Sequence, residues 1–137
     1  MEKVSHVIAR VFLGHIFVLA GVSKISGYEA TAGWMNAMGV SGELLPVVIA
    51  LEIIGGLAII VGYQTKWAAI ALAGFSVIAA AIFHNNFADQ IQMILFMKNF
   101  AIAGGFILLA IHGAGAYSLD KILSSTVKTN NAVGKTA

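Results

Sequence analysis

The sequence has no cysteine, which excludes disulfides, thiol-disulfide catalysis and cysteine-bound iron–sulfur clusters. Any redox chemistry would need a borrowed cofactor. Charge is scarce too: eight basic and six acidic residues in 137 cannot coat a water-soluble domain of this size. The lysines are scattered between apolar runs and form no basic face, which argues against nucleic acid as a partner. The single proline, Pro46, falls in the first turn of an apolar run, where a helix tolerates it. What the chain does have is apolar side chains: 59% of residues are hydrophobic and the mean hydropathy is +0.90. Lipid is the solvent such a composition calls for, so the bilayer is the first expected partner.

Four apolar runs, at about residues 4–22, 44–62, 67–83 and 91–111, each approach the ~17–25 residues that span a bilayer as a helix. They lack period-2 alternation and are too long for barrel strands of ~9–11 residues. A helix satisfies its own backbone in lipid. The expected fold is therefore an all-α, four-transmembrane-helix bundle. Residues 1–123 form one domain, and residues 124–137 form a flexible polar tail. Lys3 and Arg10 before small residues resemble a signal peptide, but no persuasive cleavage site follows, so the run is read as a retained helix. Lys3, Lys66, Lys121, Lys128 and Lys135 gather on one side of the bundle. Only Lys24 stands in a connection on the other, which predicts both termini in the cytoplasm. Between the first two spans, Thr31, Trp34, Met35 and Met38 repeat at i, i+3, i+4 and i+7, predicting a short interfacial helix with Tyr28 and Trp34 as belt aromatics. Ser41 is placed to cap the second span.

An ionisable side chain inside such a run costs at least ~2.5–3.5 kcal/mol on the insertion scale, so each one needs a reason. Arg10, Gly14, Phe17, Gly21 and Lys24 share one stripe of the first helix, which should face the bundle interior. Glu52 shares a face of the second with Gly55, Gly56, Ile59 and Tyr63, where a neighbouring backbone can approach closely. Lys98, Ile102, Gly105, Leu109 and His112 form the matching stripe of the fourth, with Asn99 beside it, and His84 closes the third. At ~1.5 Å rise per residue, Glu52 and Lys98 lie at similar depth, and Arg10 lies about 8 Å nearer the cytoplasm. The expected site is a buried cluster of Glu52, Lys98 and Arg10, with Lys24 and His84 at its outer mouth. Its excess positive charge suits an anionic or carbonyl-bearing ligand. The same charges could equally serve to fix helix register. His15 reads as a hydrogen-bonded interhelical histidine. No metal site is expected, and His15, His84, His112, Met93 and Met97 lie at depths that do not suit the facing ligands of a haem.

These residues also carry a family resemblance. Arg10-Val11-Phe12-Leu13-Gly14, Phe17 and Ala20-Gly21-Val22-Ser23-Lys24, then Leu51-Glu52-Ile53-Ile54-Gly55-Gly56, resemble the first two helices of DoxX proteins. Phe83-His84, Phe96-Met97-Lys98-Asn99-Phe100 with Gly104-Gly105, and Gly115 with Ser118-Leu119-Asp120 continue the likeness to about residue 120. The resemblance implies a small inner-membrane four-helix protein whose family polar positions match Arg10, Lys24, Glu52, His84, Lys98 and Asn99. It further implies a subunit or accessory of a quinone-linked redox complex, with a redox enzyme as partner. In that role Glu52, Lys98 and His84 would act on a bound quinone while Arg10, Lys24 and Asn99 bind it. The alternative is a non-enzymatic scaffold, or a small-molecule or lipid module. Small-residue faces make a homo-oligomer plausible in either case.

Overall fold

A computed structural model describes residues 1–134, with side chains described through Val127. Its elements are α1 (Glu2–Ser26), α2 (Tyr28–Ala37), a single 3-10 turn (Gly42–Leu44), α3 (Leu45–Val61), α4 (Thr65–Phe83), α5 (Gln90–His112) and α6 (Leu119–Gly134). Among the described residues, α1, the Gly42–Val61 stretch containing α3, α4 and α5 are long and apolar enough to cross a membrane. The four-span expectation holds. The short helix between the first two spans is also present, as α2.

Helix α1 packs chiefly on α3 and α4 chiefly on α5, with α3 and α4 joining the two pairs. Glycine sets the first contact. A Cβ on Gly14 would stand 2.6 Å from the Gly56 carbonyl oxygen, and one on Gly56 2.8 Å from that of Gly14, so the two backbones touch directly. The buried residues of α1 are Arg10, Gly14, Phe17 and Gly21, the stripe expected from spacing. On α5 the buried line is Ala103, Phe106 and Leu109; Ile102 and Gly105 are only half-buried beside it, and His112 is exposed. Tyr63, expected on the interior face of the second span, lies outside α3 and is exposed. At the centre, the Phe17 ring meets Phe106 and Phe75 edge-on, with centroids 5.4 and 6.4 Å away.

The ends are set by local chemistry. Pro46 sits in the first turn of α3, and Ser41 accepts the Glu43 amide at the 3-10 turn leading into it. Gly62, at φ +72°, ends α3 in a left-handed cap, with the Tyr63 amide returning to the Ala58 carbonyl at 2.9 Å. Asp89 caps α5 through the Ile91 and Gln92 amides. Residues 124–134, expected as part of a flexible tail, continue helix α6; residues 135–137 lie outside the described residues. Leu119, Ile122, Leu123 and Val127 recur at helical spacing, so this segment has the amphipathic pattern that a count of its polar residues conceals.

Candidate functional site

One cavity of about 240 Å³ occupies one end of the bundle. Lys24 from α1, Glu52 from α3, His84 from the end of α4, and Lys98 and Asn99 from α5 all line it. Five of the six residues expected at the site are therefore brought together. Phe17, Phe75 and Ile102 supply apolar wall, giving the cavity a greasy body with a few convergent polar groups.

The best-defined contact is the ion pair from Lys24 Nζ to Glu52 Oε1, at 2.8 Å. Glu52 is 3% exposed. Gly21 lets the two helices meet here, since a Cβ on it would stand 3.3 Å from that of Glu52 and 2.6 Å from Cγ1 of Ile53. The second carboxylate oxygen, Oε2, is buried and has no hydrogen-bond partner. An unpaired anionic oxygen in such a setting is costly and invites a donor. Lys98, on the same cavity, forms no ion pair or hydrogen bond among the described residues, so it supplies the uncompensated positive charge. His84 Nδ1 lies 2.8 Å from Gln92 Oε1, which orients the ring and leaves Nε2 available. Asn99 donates to the Leu95 carbonyl at 2.9 Å, leaving its own oxygen as an acceptor.

Helix α2 lies against this cavity. Thr31, Trp34 and Met35 line it, and the Trp34 ring lies 4.6 Å from that of Phe83, with Met35 4% exposed. The stripe expected at the membrane interface thus turns in part toward the site. Its i, i+3, i+4 spacing was a sound signal of a sided helix, but spacing alone does not say what the side covers. Gln92 was also missed; its only sequence signal is a polar residue opening an apolar run.

Arg10 corrects the expected cluster. It is 1% exposed, yet it lies at the opposite end of α1 from the cavity, where Nη2 donates to the Tyr117 carbonyl. The antiparallel register explains the separation. Gly14 faces Gly56 and Gly21 faces Glu52, so Arg10 arrives at Gly62, whose missing side chain gives the guanidinium its space. Eleven residues separate Arg10 from the level of Glu52, about 16 Å along a helix and too far to bridge. Lys24 takes the place that Arg10 was expected to fill. Glu52 and Lys98, expected as buried direct partners, share the cavity without an ion pair or hydrogen bond to each other, and Lys98 is exposed.

Around Arg10 a second polar cluster ties three segments together. Asp120 Oδ1 accepts the Gln64 amide at 2.7 Å and Oδ2 the Thr65 amide at 2.9 Å, capping α4 from a distant part of the chain. The Asp120 amide in turn donates to the Gly62 carbonyl at 2.8 Å. Burial pushes the Asp120 carboxyl up, but the Thr65 and Gln64 amides with the Arg10 guanidinium outweigh it and hold it below its usual range. This is architecture for the α3–α4 turn. His15 is exposed and bonds back to the Val11 and Phe12 carbonyls of its own helix, so the interhelical role expected of it does not hold within the chain. No group of three His, Cys, Asp or Glu suited to a metal stands among the described residues.

Comparison with known proteins gives a consistent picture. The DoxX family model matches residues 5–85. The inner membrane protein YqjF of Escherichia coli (strain K12) is 48% identical over 124 residues, covering 90% of this chain and 95% of that protein. The inner membrane protein YphA of the same organism is 35% identical over 121 residues, 83% of this chain and 86% of its own. CatD of Bacillus subtilis (strain 168), provisionally named an oxidoreductase, is 30% identical over 71 residues, about half of each chain. No solved structure matches the chain significantly.

Proposed function

The chain belongs to the DoxX family, and from that premise we propose that it is an inner-membrane protein whose polar cavity binds a quinone head group for a partner redox enzyme. The observation that carries this reading is the pairing of needs in one cavity. Glu52 Oε2 lacks a donor, while Lys98 lacks an acceptor. A hydroquinone presents the first and a quinone carbonyl accepts from the second. The inner-membrane names of YqjF and YphA support the location, and the provisional name of CatD supports the redox assignment. The lysines near the Arg10 end support a cytoplasmic location for that end and both termini, and in that orientation the cavity would lie in the outer half of the bilayer.

A bound quinone would supply the two-electron redox couple, its electrons passing to or from the partner enzyme. Glu52 Oε2 accepts or returns a proton while Lys24 stays fixed on Oε1. Lys98 donates to a quinone carbonyl oxygen, His84 Nε2 accepts from a hydroquinone hydroxyl, and the apolar walls hold the ring. Arg10 takes no direct part.

The test is titration of the purified full-length protein with a short-chain quinone, followed by co-purification of its redox partner. Glu52→Gln should assemble normally with that partner yet lose quinone-dependent turnover. A protein that neither binds the quinone nor changes its partner's turnover would overturn the proposal.

A further inference from the structure

We propose that the groove between α4 and α5 beside Lys66 is a binding site for an anionic glycerophospholipid, with the headgroup phosphate on Lys66 and an acyl chain along the apolar floor. The groove has a volume of about 420 Å³ and is lined by Lys66, Ile70 and Ala73 of α4 and Ile107, Ala110 and Ile111 of α5. None of these residues lines the polar cavity. Its shape comes from side-chain size. Ala73 is buried and Ala110 half-buried, while Ile70, Ile107 and Ile111 are exposed beside them, so the small residues make the trough and the isoleucines flank it.

Charge selects the occupant. Lys66 is exposed and has no carboxylate partner among the described residues. Asp120 caps the same end of α4, but its two oxygens already accept the Gln64 and Thr65 amides. Lys66 Nζ instead lies 5.6 Å from the centroid of the Trp67 ring, and Trp67 is 65% exposed. An exposed indole beside a lysine is the pair found where a span meets the headgroup layer. From Lys66 to Ala73 the groove descends about 10 Å along the helix, passing from headgroup depth into hydrocarbon. An apolar trough that starts at a cation without a carboxylate partner among the described residues and runs into the hydrocarbon layer matches a lipid, with its charge at one end and its chain along the other.

Native mass spectrometry of the full-length protein, released from vesicles of equal phosphatidylglycerol and phosphatidylcholine with identical acyl chains, tests this. The wild type should retain phosphatidylglycerol preferentially. Lys66→Gln should lower that preference about fivefold, and Lys66→Arg should keep it. Ala110→Phe, which fills the trough, should reduce retention of both lipids, and glycerol phosphate without acyl chains should not compete. The site is overturned if Lys66→Gln leaves the preference unchanged, if glycerol phosphate displaces the lipid, or if Ala110→Phe changes the oligomeric state while lipid retention stays constant. The last outcome would assign the groove to a second copy of the chain.

Discussion

Lys24 and Glu52, 28 positions apart in sequence, meet at 2.8 Å across α1 and α3 on the wall of the cavity. The glycine contacts at Gly14–Gly56 and Gly21 set the register that brings them level. A pair whose carboxylate is buried and whose lysine is 26% exposed contributes little net stability over a well-packed apolar pair, yet removing the lysine is expensive because the buried carboxylate is left without its counter-ion.

Lys24→Met should therefore destabilise the protein by about 3 kcal/mol. Lys24→Met combined with Glu52→Leu should recover most of that loss, because neither charge remains. Thermal unfolding of the four members of this double-mutant cycle, in one detergent and at one scan rate, measures the coupling. A double variant no more stable than Lys24→Met alone would refute the pairing as the source of the loss.

Two glycines one helix pair apart should respond oppositely. Gly14→Ala puts a methyl 2.6 Å from the Gly56 carbonyl, and no rotation of a flexible side chain can relieve a backbone contact. An overpacking cost of about 1–3 kcal/mol follows. Gly104→Ala meets nothing within 4 Å, so it should be neutral or stabilise α5 by up to about 1 kcal/mol through helix propensity. Unfolding temperatures of the two variants provide the check.

Much of this was legible in the sequence because it depends on helical periodicity. Arg10, Gly14, Phe17 and Gly21 repeat every three or four residues, and all four are buried. Glu52 and Lys98 were placed in the cavity by their comparable depth inside apolar runs, Asn99 by its position beside Lys98, and Lys24 and His84 by their positions at the outer ends of their helices. Pairing within that set was not legible, because it depends on the sliding register of α1 against α3. A shift of a few residues decides whether Arg10 or Lys24 reaches Glu52. Arg10 was misplaced for a further reason. Its acceptor is the backbone carbonyl of Tyr117, 107 positions away, and no side-chain pattern announces a carbonyl.

Asp120 should give the protein an acid-sensitive component of stability. Its folded pKa lies below the ordinary 3.8, so its contribution is complete above that value. As pH falls through the ordinary value, the unfolded chain binds a proton before the folded one does, and the contribution drains away until pH passes the folded pKa. Asp120→Asn keeps one acceptor oxygen for the amides but cannot titrate. Stability measured from pH 6 down to pH 3 should thus fall more steeply in the wild type than in Asp120→Asn. Parallel curves would show that the carboxylate is not linked to folding.

Gly62 and Gly39 separate backbone strain from steric blocking. Both have positive φ, +72° and +81°, so alanine at either position costs about 1–2 kcal/mol for the left-handed conformation alone. Around Gly39 nothing lies within 4 Å, and Gly39→Ala should lose only that amount. At Gly62 the added methyl would run into the Arg10 guanidinium and the Ser118 side chain, and through Arg10 it would disturb the bond to Tyr117. Gly62→Ala should consequently be the more damaging by at least about 1–3 kcal/mol, the usual range for overpacking. Its damage should be confined to the Arg10 end, leaving the Lys24–Glu52 pair intact. Unfolding temperatures rank the two variants, and hydrogen exchange locates the loss: protection should fall at Gln64 and Thr65, whose amides Asp120 accepts, before it falls at Glu52.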